Sequence, residues 1–207
     1  GSLSLKRLAL KARGDADVLV ETLFSGVSTG TEKMLFEGTM PAFPGMAYPL
    51  VPGYESVGRV IEAGPESGRT AGEMVFVPGA ACFTDAAALF GATADHLVVD
   101  GNRSVLVSED MAEDCVALAL AATAHHAVIR AGAPIDMIFG HGVLGRLIAR
   151  IAVARGQPAP QVVEPSPDRQ SGNAGYDVLD PSSVRLRSSC ECIVDASGSM
   201  AALDDAI

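Results

Sequence analysis

Tryptophan is absent from this chain, and aromatic residues make up only 5% of its 207 positions. A core must therefore be built from aliphatic side chains, and the chain is long enough to bury a substantial one. The four cysteines, Cys82, Cys115, Cys190 and Cys192, fit neither a disulfide framework nor a zinc pattern. Cys190 and Cys192 form C-x-C within an expected buried strand, where plain burial is the expectation. No apolar run reaches the ~18 residues that a membrane span needs. A charged-then-apolar leader is also lacking, so a cytoplasmic location is expected. Basic residues are scarce, 15 against 25 acidic ones, for a net charge of −10. That balance excludes a nucleic-acid footprint, and an anionic membrane surface would repel the chain.

What the chain does have is two contrasting rhythms. Up to about residue 108 short apolar segments alternate with turns, as in DVLVETLFSGVS, ESVGRVIEAG, EMVFVPG and HLVVDGNRSVLV. Valine-rich alternation broken by Gly, Pro and Asn predicts antiparallel β structure, closed as a barrel or a sandwich. MAEDCVALALAATAHHAVIRAG then switches to helical spacing, with acids in its first turn and Gly132 at its end. Strands PIDMIFG, QVVEPS and CECIVDAS follow, with the helix VLGRLIARIAVARG, a weaker segment reaching YDVLD, and a last helix from MAALDDAI. Strands alternating with helices predict a parallel sheet with a ligand at the strands' carboxyl ends. The fold class is thus α/β, with domains expected at 1–113 and 114–207.

Gly140, Gly142 and Gly145 form G-x-G-x-x-G. The spacing alone is weak in a glycine-rich chain, but an apolar strand ends at Gly140 and a helix opens at about Val143, as a dinucleotide loop requires. The first glycine permits the tight turn, the second lets a pyrophosphate reach the backbone, and the third lets helix and strand pack closely. Backbone N–H groups near Val143 and Leu144, at the positive end of the helix dipole, are the expected phosphate contacts. Glu164 ends the next strand, 19 residues after Gly145, where a carboxylate accepts ribose hydroxyls and repels a 2′-phosphate. This favours NAD, although the nearby Arg169 keeps NADP open. Ser197, the last residue of CECIVDAS, is placed with the cofactor contacts. His141 lies inside the loop, facing phosphates, which is no place to take a substrate proton. His125 and His126 are expected as ordinary residues of the connecting helix.

SGVSTGTE, VPGYESVGRVIEAG, TAHHAV and GHGVLG together resemble the medium-chain dehydrogenase/reductase superfamily, with its GroES-like β-barrel catalytic domain and Rossmann domain. In zinc enzymes of that superfamily a cysteine ligand stands where this chain has Ser28, and a histidine ligand where it has Tyr54, while Glu55 matches. The cysteine-rich structural-zinc loop is absent too. Zinc takes thiolate and imidazole rather than hydroxyl and phenol, so no catalytic zinc is expected. The longer run FSGVSTGTEKMLFEGTMPAFPGMAYPLVPGYESVGRV narrows the resemblance to the branch of bacteriochlorophyll synthesis. That resemblance implies NAD-dependent oxidation of a 1-hydroxyethyl side chain on a chlorin-type tetrapyrrole to acetyl, and a homodimer for the full-length form. Against the family pattern, the stretch is expected to begin after the first strand of its N-terminal domain. It is likewise expected to stop one helix past the fourth strand of a six-stranded sheet, which puts its own activity in question.

Without a metal, loss of the alcohol proton needs a hydrogen-bond network. Ser28, Thr31 and Tyr54 are the expected members, with Glu55 orienting its neighbours. By the resemblance, Thr31 aligns, across the inserted Gly30, with the hydroxyl that begins the family's proton relay. The same residues are also ordinary turn formers. GAACFTDAAALFGATAD, rich in small residues, is expected as a loop and short helix, with room for a planar ligand as the other reading. Two further functions stay open: a zinc-free NADPH quinone or enoyl reductase, and a non-catalytic dinucleotide-binding fragment.

Overall fold

β1 (Asp17–Ser25) sends Val18 and Val20 inward and their neighbours outward, the period-two pattern of a half-covered strand. It pairs antiparallel with β3 (Ser56–Ala63) and with β6 (His96–Asp100). β3 continues to β4 (Met74–Val77), and β4 to β7 (Val105–Leu106), giving a five-stranded antiparallel sheet in the order β6-β1-β3-β4-β7. A parallel ribbon joins β2 (Leu50–Val51) to β5 (Ala87–Ala88). The computed structural model describes residues 1–206 apart from Phe43, Leu89 and residues 185–189, and leaves the side chains of Leu203, Asp205 and Ala206 undescribed.

All four residues of β4 are buried, because both faces of the strand are covered. Val75 and Val77 join Val18, Val20, Val60, Leu97 and Val99 in one core. Met74 and Phe76 point the other way, with Val57, against Ala112, Val107, Cys115 and Val116. That second layer corrects the expected helix from Met111. Residues 109–111 and 114–117 wind as 3-10 turns, and α2 begins only at Leu118 (Leu118–Arg130). The tighter winding packs Cys115 and Val116 against the cluster of Val57, Met74, Phe76 and Ala112, so packing rather than periodicity sets the local helix type.

Two further corrections fall in this half. Thr31–Glu37 forms a short helix, α1, ended by Gly38 in the left-handed conformation, where only turn residues were read. The alanine-rich stretch from Gly79 contributes β5 and a bridge from Phe83 to Leu10, with no helix among the described residues. Backbone pairing with β2 outweighs the helix preference of its alanines.

The chain divides into two compact units, Gly1–Ala119 and Leu120–Ile207. In the second, β8 (Met137–Phe139), α3 (Val143–Ala154) and β9 (Gln161–Val163) form a β–α–β unit. β10 (Asp177–Leu179) and β11 (Ile193–Asp195) complete a parallel sheet ordered β10-β9-β8-β11. Counted within this unit the order is 3-2-1-4, that of a doubly wound nucleotide-binding sheet. β8 is central and buried on both faces: Ile138 meets Ile148, Ala149 and Ala152 of α3, while Met137 and Phe139 meet Val163 and Ile193. Cys190 and Cys192 are half-buried just ahead of β11 rather than inside a buried strand, and all four cysteines are free. The last helix, α4, runs Met200–Ala206. No helix among the described residues is long and apolar enough to cross a membrane.

Candidate functional site

The chain leaves β8 through Gly140, whose φ is +96° and whose Cβ would lie 2.7 Å from the Ser197 Cα. Any side chain there would collide with the end of β11. Gly145 is equally constrained, since its Cβ would fall 2.0 Å from the Gly140 carbonyl oxygen. Gly142 differs. Its φ is −71°, and a Cβ on it would meet nothing within 4 Å. Nothing among the described residues requires a glycine there, and none of their side chains caps the N-terminus of α3 that follows. A bare helix N-terminus beside an unfilled backbone surface suits an anion. Val143 at that terminus is exposed and Leu144 is half-buried against the core.

Glu164 lies against this loop. Its Oε2 accepts the His141 backbone N–H at 2.9 Å, and its Oε1 accepts the Ser166 N–H at 2.9 Å. The carboxylate is buried, yet each oxygen retains a further acceptor position for a hydroxyl. Ser197 turns its hydroxyl to Asp195, 2.6 Å away, and places its backbone beside Gly140.

His141 is fully buried. Its Nδ1 is 2.6 Å from the Arg169 carbonyl oxygen, which can only accept, so the proton sits on Nδ1. Nε2 therefore accepts from the Tyr176 hydroxyl at 2.8 Å. Burial pushes the ring below the ordinary histidine range, aided by Arg146 and Arg150 and opposed by the Arg169 carbonyl and Glu164. Arg146 braces the same loop, donating to the carbonyls of His141 and Arg169 at 3.0 Å each. Tyr176 and Arg146 were not singled out in the sequence, because nothing local marks a tyrosine 35 residues from its histidine partner. His125 and His126 are exposed on α2, with Arg155 near His125 Nε2.

In the first unit the turn before β3 carries Tyr54 and Glu55. Gly53 has φ +101° and packs on Thr93, and backbone bonds from Ala92 to the Gly53 carbonyl and from Thr93 to the Pro52 carbonyl pin this turn to residues 92–93. The Ser28 hydroxyl accepts the Thr31 backbone N–H at 3.2 Å as α1 opens. Thr31 Oγ1 lies 3.5 Å from the Tyr54 hydroxyl, at the outer limit of a hydrogen bond. Glu55 points elsewhere: its Oε2 sits against Gly26, and among the described residues no hydrogen bond joins its carboxylate to Tyr54 or Thr31.

Glu32, one residue into α1, is the group that reading the sequence missed. Its Oε2 is buried without a hydrogen-bond partner among the described residues. Burial raises Glu32 above the ordinary carboxylate range, against the backbone N–H groups of Glu32 and Ser28. Burial also raises Glu55, and the Glu32 charge raises it further. SGVSTGTE reads as a turn, and only packing brings the Glu32 charge to bear on Glu55. Among the described residues no group of three or more His, Cys, Asp and Glu side chains could hold a metal ion.

Comparison with known proteins agrees with this architecture. Residues 14–109 match the alcohol dehydrogenase GroES-like domain. The chain is 45% identical, over 94% of its length, to the 2-desacetyl-2-hydroxyethyl bacteriochlorophyllide A dehydrogenase of Rhodobacter capsulatus, and covers 62% of that protein. It is 44% identical, over 99% of its length, to the protein of the same name from Cereibacter sphaeroides, and covers 66% of it. The chain thus spans a little under two thirds of the curated relatives it matches. Among solved structures, a short chain alcohol dehydrogenase of Escherichia coli CFT073 complexed with NADH superposes with a TM-score of 0.73 at 18% identity, over 95% of this chain and 66% of that one. Residues 14–109 thus form an alcohol dehydrogenase GroES-like domain and the second unit a 3-2-1-4 nucleotide-binding sheet, an arrangement similar to that of medium-chain dehydrogenases/reductases.

Proposed function

We propose that this chain supplies the catalytic and dinucleotide-binding units of a dehydrogenase that oxidises a 1-hydroxyethyl side chain of a bacteriochlorophyllide-type ring to acetyl, with NAD as acceptor. The observation that carries the cofactor reading is Gly142, a glycine that the chain's own packing does not need, at an uncapped helix N-terminus. Gly142, Val143, Leu144 and Gly145 would hold the pyrophosphate, and Glu164 the ribose. A buried carboxylate repels a 2′-phosphate and favours NAD over NADP. Bound there, the dinucleotide supplies the hydride acceptor.

The protein's share of the reaction is the proton. Ser28 and Tyr54 stand where zinc members place ligands, and a hydroxyl and a phenol do not fit zinc. Tyr54 therefore meets the substrate oxygen with its own hydroxyl, and Thr31 Oγ1, 3.5 Å away, is the next group outward. Ser28 fixes the Thr31 backbone. The substrate class comes from the two bacteriochlorophyllide dehydrogenase relatives. A carbonyl formed beside a conjugated ring is stabilised by that ring, which lowers the demand on a site without a Lewis acid.

The test is to incubate the full-length protein with NAD and a hydroxyethyl chlorin. The expected result is NADH together with a red-shifted acetyl product. NADH binding without turnover would instead identify a non-catalytic binding module.

A further inference from the structure

Phe90 plays no part in the chemistry assigned above, yet its backbone sits at φ +65°, the single positive value at a non-glycine residue among those described. A bulky side chain in the left-handed region is an outlier, and such outliers persist only where the surroundings impose them. Here the surroundings do. The Phe90 carbonyl accepts the Ala80 N–H, Gly91 beside it has φ +66°, and the Cβ that Gly79 lacks would press on the Phe90 carbonyl at 2.8 Å. Strain of this kind is ordinarily offset by burying the ring. Phe90 does the reverse and leaves its side chain 45% exposed. Among the described residues its ring contact is edge-on to Tyr54, with centroids 5.2 Å apart and planes at 68°. Glycine or asparagine would adopt this backbone at lower cost, so neither the fold nor the core accounts for a phenylalanine.

We propose that Phe90 is a specificity-determining residue: with Tyr54 it forms an aromatic corner that accepts a planar conjugated ring carrying the reacting alcohol. The proposal rests on the alcohol-oxidation reading above and extends it to the surface that selects the substrate. Two rings meeting at 68° present one face for stacking and, on the other wall, the Tyr54 hydroxyl. The bonds from residues 92–93 to the Pro52–Gly53 turn hold the two walls together.

The experiment titrates a hydroxyethyl chlorin into the full-length protein, followed by its absorbance, in parallel with NADH and a thermal melt. Wild type, Phe90→Asn and Phe90→Leu are compared. Both variants are expected to bind the chlorin about tenfold or more weaker, in line with the loss of one stacked ring. Both should bind NADH within about twofold of wild type, and Phe90→Asn should melt no lower, because asparagine tolerates a positive φ. Chlorin affinity within about twofold of wild type in both variants would overturn the proposal while leaving the alcohol-oxidation reading intact. A fall in melting temperature with loss of both ligands would mark Phe90 as a packing residue and also overturn it. Failure of the wild type itself to bind the chlorin while binding NADH would remove the substrate reading, and this proposal with it.

Discussion

The backbone N–H of His141 donates to Oε2 of Glu164 across 2.9 Å, joining the middle of the glycine loop to the end of the neighbouring strand. The carboxylate thus orders the loop as well as being the expected ribose partner. Glu164→Gln turns an amide N–H₂ toward one of two backbone donors. It should cost about 1–3 kcal/mol of stability, weaken NAD binding and narrow its advantage over NADP. Calorimetric titration with both dinucleotides checks this; an unchanged NAD-to-NADP ratio would count against the ribose role.

Gly142 and Gly145 separate ligand binding from folding. Gly142→Ala meets open space at an ordinary φ and should leave the melting temperature unchanged or slightly higher. It should nonetheless weaken NADH binding about tenfold or more, because the methyl occupies the pyrophosphate surface. Gly145→Ala, with its methyl 2.0 Å from the Gly140 carbonyl, should destabilise the second unit by about 1–3 kcal/mol. A melt and an NADH titration on each variant suffice.

The buried His141 makes stability pH-dependent in a direction set by its lowered pKa. Between the ordinary value of 6.5 and the lower folded value, the unfolded chain binds the proton and the folded chain does not. Stability is therefore fully present above 6.5 and declines as the pH falls through that window. His141→Asn keeps a donor toward Arg169 but cannot titrate, so its melting temperature should be lower at neutral pH and flatter in acid. Melts across the acid range show the difference in slope.

Glu32 and Glu55 act with the opposite sign. Their raised values mean that the folded chain holds protons the unfolded chain has released, so their contribution fades as the pH rises from 4.5 through the folded values. Glu32→Gln removes one charge of the pair and should raise the melting temperature at neutral pH more than in acid. A larger gain in acid would show that the two carboxylates do not repel.

Tyr54→Phe keeps the ring beside Phe90 and removes only the hydroxyl. Under the proposed reaction, turnover should fall about a hundredfold or more, the range of a lost acid–base contact, while NADH affinity stays near that of wild type. Steady-state rates and an NADH titration separate the two effects.

Much of the second unit was legible in the sequence. The apolar runs around Ile138 and Val162 and the apolar stripe of α3 announce strands and a crossover helix, because each buries alternate or every third-to-fourth residue in one core. The first unit was legible as strands but not in its exceptions. α1 is only seven residues long and too short for a period to show. The 3-10 winding at 114–117 answers to Met74 and Phe76, some forty positions earlier. Within GAACFTDAAALFGATAD, Ala87 and Ala88 are extended because β2 offers them hydrogen bonds, which no composition reveals.

By itself the sequence determined where the glycine turn from β8 into α3 would form and which acid would end the next strand. These are properties of local stereochemistry and short-range period, written in consecutive residues. Tertiary structure alone decided that Glu55 turns to Gly26 and Glu32, that His141 finds Tyr176, and that Phe90 is held at positive φ beside Tyr54. Those partners lie tens of residues apart, and the cost of burying a carboxylate, an imidazole or a strained backbone is set only when distant segments close around it.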